Sequence, residues 1–123
     1  MTRVPGSSTA VPPPAGPYSQ SARIGSFVAS SGQAGFAADG SLPDDVREQT
    51  SLALAHVRDA LAASGAGLEH VLHTRVYLTD PSQFAIMNEV YTEFFRAPYP
   101  ARTTVYVTLP PGMLVEIDAL AVV

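Results

Sequence analysis

The last 24 residues, PARTTVYVTLPPGMLVEIDALAVV, constrain the fold of this chain more than any other stretch. Two runs of strand-like alternation flank a Pro-Pro-Gly turn signal, which predicts a hairpin over Pro100–Val123. Polar groups interrupt it. Arg102 opens the first run, and Glu116 and Asp118 alternate with apolar residues in the second. A guanidinium or carboxylate among valines is costly to desolvate unless it is paired. These residues are therefore either structural ion pairs or a site for a small charged molecule. For Arg102 the structural partners to weigh are Glu116, Asp118 and Glu89. With the hairpin symmetric about Pro111, Tyr106 faces Glu116, and Arg102 lies roughly 13 Å further along. That register argues against a direct Arg102–Glu116 pair.

The second run is apolar on both faces. Val115, Ile117, Ala119, Ala121 and Val123 mark one side, and Leu114, Leu120 and Val122 accompany Glu116 and Asp118 on the other. A sheet needing cover on both sides points to helices on one face and another copy of the chain on the other. The 46% hydrophobic and 15% charged composition agrees. The net charge of −4, with the seven basic residues scattered, argues against nucleic acid, which needs a basic patch for phosphates. No cysteine is present, so disulfides and thiolate chemistry are excluded. No run is long and apolar enough for a membrane span, and Met1–Gly16 has no apolar leader core. The expected setting is the cytoplasm.

Residues 1–15 are rich in Pro, Ser and Gly and read as a flexible tail; residues 16–123 read as a single domain. Two short strand runs on either side of Gly25-Ser26 predict a hairpin. A helix is expected from Asp45, its cap, to the stop at Gly65 and Gly67, with Val46, Ala53, Leu54, Val57 and Leu61 inward. Val71–Thr79 reads as a strand with Leu72, Thr74, Val76 and Leu78 on one face. Asp80-Pro81 caps a second helix whose stripe is Phe84, Met87, Tyr91 and Phe94. The order is β-β-α-β-α-β-β, an α+β arrangement with a mixed sheet and two helices on one face.

No metal site is expected. His56 lies mid-helix, and His70 and His73, three apart on a strand, point to opposite faces. Ser31 lacks the GxSxG context of a hydrolase, and Gly32, Gly35 and Gly40 form no phosphate loop. Tyr18 and Asn88 would ordinarily be a core aromatic and a helix-surface amide. Glu116 suits general acid/base work, and Asp118 is better read as structural.

Six segments in order resemble the Rid (YjgF/YER057c/UK114) family: Gly16-Pro17-Tyr18-Ser19-Gln20, Ser31-Gly32-Gln33, Thr74–Asp80, Phe84–Tyr91, Pro100-Ala101-Arg102-Thr103 and Leu114-Val115-Glu116-Ile117. The resemblance covers everything after the tail. It implies a chorismate-mutase-like fold assembled as a homotrimer with intersubunit clefts, and hydrolysis of 2-iminopropanoate or 2-iminobutanoate to 2-oxo acids and ammonia without cofactor or metal. It further implies that Arg102 binds the substrate carboxylate, that Glu116 handles a water and its protons, that Tyr18 is the third catalytic residue, and that Tyr18, Ser31, Gly32 and Asn88 line the cleft. Many members carry a cysteine two residues after the arginine. Thr104 stands there in this chain, where its backbone would serve. Two other functions compete: a non-catalytic trimer that binds small carboxylates, and an endoribonuclease, against which the charge speaks.

Overall fold

Alternation of fully buried Val115 and Ile117 with Glu116 and Asp118 makes the last strand the centre of a seven-stranded sheet. The computed structural model describes residues 1–123. Its elements are β1 (Val4–Gly6), β2 (Ser21–Ile24), β3 (Phe27–Ser30), β4 (Gln33–Ala34), α1 (Val46–Ala62), β5 (Val71–Leu78), α2 (Phe84–Phe94), β6 (Ala101–Tyr106) and β7 (Val115–Val122). The strand order is β1-β2-β3-β7-β5-β6, with β4 also pairing to β7. All pairs are antiparallel except β5 with β6.

The expected α+β class holds: a mixed sheet carries two helices. Each helix ends where its signals stand. Asp45 caps α1 by accepting from the Arg47 N–H, and past its C-terminus Gly65 turns at φ +87° while the Ala66 N–H closes back on the Leu61 carbonyl. Asp80 caps a short 3-10 turn that leads into α2, its carboxylate accepting from Ser82 N while Gln83 reaches back to Asp80 N. Leu54, Val57 and Leu61 from α1 and Met87 and Val90 from α2 meet Val76, Leu78, Val115 and Ile117 in one core. Each such side chain contributes about 1.5–3 kcal/mol on burial.

Four expectations need correction. Pro100–Val123 is not a hairpin, because β6 and β7 are not neighbours; both pair with β5, one parallel and one antiparallel. The cause is α2. A β-α-β crossover lays β6 beside β5 in parallel, and eight residues, Val107–Leu114, then carry the chain across to the other side of β5. Bonds from Val107 N–H to Leu78 O and from Thr79 N–H to Leu114 O extend both ladders and fill both edges of β5. The sheet also has seven strands, the sequence pattern having missed the very short β1 and β4. Leu72, expected to share a face with Thr74, Val76 and Leu78, is 56% exposed while those three are buried, because the β5–β7 register shifts between Val71 and His73 and the bulged residue is turned out.

The N-terminal segment is the fourth. Although Pro and Ser dominate residues 1–15, Val4–Gly6 adds an edge strand to β2 and Val11 is only 3% exposed. Gln20 holds the segment: its Oε1 accepts from Ser8 N–H, and its Nε2 donates to the carbonyls of Ser8, Val11 and Pro12 at 3.0–3.2 Å. A buried amide satisfied at both ends fixes a proline-rich strand that composition alone marks as loose.

The sheet face away from the helices has no cover in the chain. Ile24, Phe27, Val105, Leu120 and Val122 are exposed on it, Phe27 at 58%. No helix is long and apolar enough to cross a membrane.

Candidate active site

The register decides which of the candidate residues can meet. Arg102 aligns with Thr74 on β5, and Thr74 with Ala119 on β7; Glu116 aligns with Tyr77, and Tyr77 with Val105. Arg102 and Glu116 are thus offset by three residues and two strands, roughly 10 Å in each direction. They also lie on opposite faces. Arg102 stands on the helix side, its guanidinium 4.8 Å from the Tyr91 ring centroid and 5.6 Å from that of Phe84. Glu116 alternates with the buried Val115 and Ile117 and so faces away from the helices. Within one chain the candidates form two separate groups.

The first group gathers on the open face. β4 folds back on β7, with Gln33 opposite Ile117 and Ala34 opposite Glu116, which carries Gly32 directly over the Glu116 carboxylate. A Cβ on Gly32 would lie 2.7 Å from Glu116 Oε2, so any larger residue here would push the carboxylate aside. Burial, and secondarily the nearby negative charge of Asp118, push the Glu116 carboxyl above its ordinary value. Ser31 donates its hydroxyl to the Ser19 carbonyl and its N–H to that of Gln20. Tyr18 and Ser31 line a common hollow of about 400 Å³ with Ser19 and Ala29. The Tyr18 ring is half exposed, and its hydroxyl accepts from Ala15 N–H, so it is a surface aromatic rather than a core one.

The second group surrounds Arg102. Asn88, Tyr91 and Thr92 from α2 and Tyr99 and Pro100 from the loop before β6 form an open pocket of about 430 Å³ around it. None of the structural partners weighed for Arg102 is available. Glu89 pairs with Arg47, Asp118 Oδ1 accepts from Arg75 Nε at 2.8 Å, and Glu116 lies across the sheet. No carboxylate comes within ion-pair distance of Arg102; its polar contact is a long one from Nη1 to the Met87 sulfur at 4.0 Å. Tyr91 is fixed by a 2.8 Å hydrogen bond to Thr74 Oγ1, and burial raises its phenol above the ordinary value despite that bond and the nearby guanidinium. Thr104 is half-buried on the same face, two residues along β6. The Val107 N–H bonds to Leu78, so the period of two turns the N–H and C=O of Thr104 outward, away from β5. Outward of β6 there is no further strand in the chain.

A half-buried guanidinium held between two aromatic rings, uncompensated and open to solvent, is suited to a planar anion such as a carboxylate. Phe84, Tyr91 and Tyr99 were not anticipated as its surroundings; the helical stripe marked the first two only as core. Arg75 was not singled out either, since its pairing with Asp118 depends on a long-range register. No group of three His, Asp or Glu side chains is placed to hold a metal. His70 Nδ1 accepts from Gly67 N–H, and His56 Nε2 bonds to the Phe36 carbonyl.

The family model described as Endoribonuclease L-PSP matches residues 8–123. The chain belongs to this family, the same Rid/YjgF group whose motifs it carries. It is 38% identical over 119 residues to the 2-iminobutanoate/2-iminopropanoate deaminase of Mus musculus, covering 94% of this chain and 88% of that one. A RutC family protein of Pyrococcus abyssi is 39% identical over 113 residues, 89% of each chain. Among solved structures, the TdcF protein of E. coli with bound serine superposes with a TM-score of 0.92 at 36% identity, covering 98% of both chains.

Proposed function

We propose that this protein hydrolyses short 2-imino acids, such as 2-iminopropanoate and 2-iminobutanoate, to 2-oxo acids and ammonia, in clefts formed between copies of a homotrimer. The observation that carries the reading is the separation of Arg102 from Glu116. An unpaired guanidinium opens to one side of the sheet edge, and a glycine-capped carboxylate with a raised pKa lies on the other face, beside an uncovered apolar surface. A copy set with its free β6 edge against the open face of the next would bring Arg102, Asn88 and Thr104 of one against Tyr18, Ser31, Gly32 and Glu116 of the other. The deaminase name of the mouse relative agrees with this chemistry. The proposed site residues all lie within residues 16–123, and the cytoplasmic setting expected from the sequence is kept.

In the proposed reaction the Arg102 guanidinium holds the substrate carboxylate in a two-pronged ion pair, fixing the imine carbon. The Asn88 amide and the outward Thr104 backbone supply further polar lining. An imine is already electrophilic, and protonation at nitrogen makes it more so. Glu116 accepts a proton from water as the water oxygen bonds to the imine carbon and the C=N π bond breaks. The proton then passes from Glu116 to the amine nitrogen of the carbinolamine, the C–N bond breaks with its electron pair leaving on ammonia, and the hydroxyl returns its proton to the Glu116 carboxylate as it becomes the 2-oxo group. A carboxyl with a raised pKa is a stronger base when it takes the water proton, and a value nearer the working pH lets the same group both take and return protons. The test is ammonia and 2-oxo acid release from 2-iminopropanoate generated in the cuvette. Wild type should accelerate it and Arg102→Ala should not; equal acceleration by both would remove the assignment.

A further inference from the structure

Arg75 is outside both groups of site residues, yet it lies on the same sheet face as Glu116. Along β7 the open face presents Glu116 and then Asp118, and along β5 it presents Tyr77 and then Arg75, each pair directly opposite across the ladder. Arg75 Nε donates to Asp118 Oδ1 at 2.8 Å. The Arg75 side chain is mostly exposed, whereas that of Asp118 is largely buried. Asp118 and Glu116 are two residues apart on one face, about 7 Å along the strand, close enough for two negative charges on a half-buried surface to oppose each other.

We propose that Arg75 is a positioning residue for Glu116: by taking up the charge of Asp118 across the β5–β7 ladder, it leaves Glu116 free to act as the proton-transferring carboxylate of the site. This rests on the role given to Glu116 above. Without Arg75, Asp118 would be a buried carboxylate with no cation. It would either repel a charged Glu116 or compete with it for the same protons. The surroundings offer no substitute. From β5 the open face carries Tyr77, Arg75 and, furthest from Glu116 and opposite Leu120, His73, whose Nε2 bonds to Thr103 Oγ1; from β7 it carries Asp118. The segment Ser31–Ala34 brings no titratable group, and Thr103 and Val105 on β6 are neutral. A neighbouring copy would add its Arg102, which acts on the substrate carboxylate from the far side of the cleft. Asp118 alone contributes the negative charge that, after burial, raises the Glu116 carboxyl.

The two members of the pair should therefore act on Glu116 in opposite directions, and the acidic limb of imine hydrolysis should move with them, which a pair without electrostatic reach to Glu116 would not do. The experiment follows the Glu116 side-chain carboxyl by NMR in protein labelled with ¹³C at glutamate, with Glu116→Gln giving the assignment. It is run on wild type, Arg75→Gln, Asp118→Asn and Arg75→Lys. Arg75→Gln should raise the Glu116 midpoint by about half a unit or more, and Asp118→Asn should lower it. Arg75→Lys, which restores the charge, should return it most of the way. The acidic limb of the pH–rate profile for imine hydrolysis should move with each. Midpoints that stay within about 0.2 unit of wild type, or that shift the same way in Arg75→Gln and Asp118→Asn, overturn the proposal. Wild type without turnover, with midpoints moving as stated, overturns the deaminase reading while supporting the Arg75–Glu116 coupling; unmoved midpoints with turnover intact overturn the role of Arg75 alone.

Discussion

Replacing Arg102 with methionine separates binding from folding, because the structure gives this arginine no ion pair to lose. Methionine retains an unbranched apolar stem between Phe84 and Tyr91 and removes the charge. On the folding side the loss is the pair of cation–π contacts at 4.8 and 5.6 Å, each worth about 0.5–1 kcal/mol at a partly exposed site. The retained stem offsets part of that, so stability should fall by about 1 kcal/mol, a Tm decrease of a few degrees. On the catalytic side the loss is two charge-assisted hydrogen bonds to a carboxylate, each about 1.5–3 kcal/mol. Taking about 3 kcal/mol in total for a pocket open to solvent gives a fall of about 100-fold or more in kcat/KM. Ammonia release from 2-iminopropanoate and differential scanning fluorimetry read the two quantities on the same samples. A fall in kcat/KM below about threefold would refute the carboxylate-clamp argument. A collapse in Tm of more than about 10 °C would show instead that Arg102 is chiefly structural.

Further outcomes follow from the other contacts. Glu116→Gln should abolish turnover yet raise stability near pH 7: burial lifts the folded carboxyl above its ordinary 4.5, so the folded state binds the proton more tightly than the unfolded one, and its advantage is present below the unfolded value and lost as pH rises through the folded one. Melting curves of wild type and Glu116→Gln should therefore converge at acidic pH and separate above it, with the variant higher; a variant that melts lower at pH 7 contradicts this. Gly32→Ala places a Cβ 2.7 Å from Glu116 Oε2. It should cut kcat about tenfold or more by displacing the carboxylate, with little effect on KM. An unchanged kcat would place the working Glu116 rotamer elsewhere. Gln20→Ala removes the amide that holds Ser8, Val11 and Pro12. It should cost about 1–3 kcal/mol and increase hydrogen exchange across residues 4–12, while exchange as slow as in wild type would mean that β1 pairing alone secures the segment.

Local signals in this chain were legible where one or two residues set the backbone. Asp45, Gly65, Asp80 and Pro81 mark the helix ends, and Gly25, at φ +57° in the two-residue turn between β2 and β3, fixes the first hairpin. What escaped depends on which strands become neighbours. The Pro-Pro-Gly turn and the alternation around it are real, but they cannot report that α2 sends β6 to the far side of β5. Composition made the N-terminal segment look loose because the glutamine that holds it lies outside the segment. Alternation also grouped Leu72 with Thr74, Val76 and Leu78, since a bulge leaves no mark in the pattern. The site divides the same way. Arg102 and Glu116 stood out as charges among apolar residues, whereas the approach of Gly32 to Glu116 and the Arg75–Asp118 pair connect residues 84 and 43 apart in sequence.

The central claim is that one cleft takes Arg102 from one copy and Glu116 from another. Mixing two inactive variants tests it most directly. Arg102→Met and Glu116→Gln proteins, each purified alone, are unfolded together and refolded so that mixed assemblies form, and imine hydrolysis is compared with that of each variant refolded alone. A site shared between copies predicts that activity returns in the mixture, because some clefts then join an intact Arg102 to an intact Glu116. Mixed assemblies that form, by native mass spectrometry, yet remain as inactive as either parent would contradict the shared site and return both residues to a single chain.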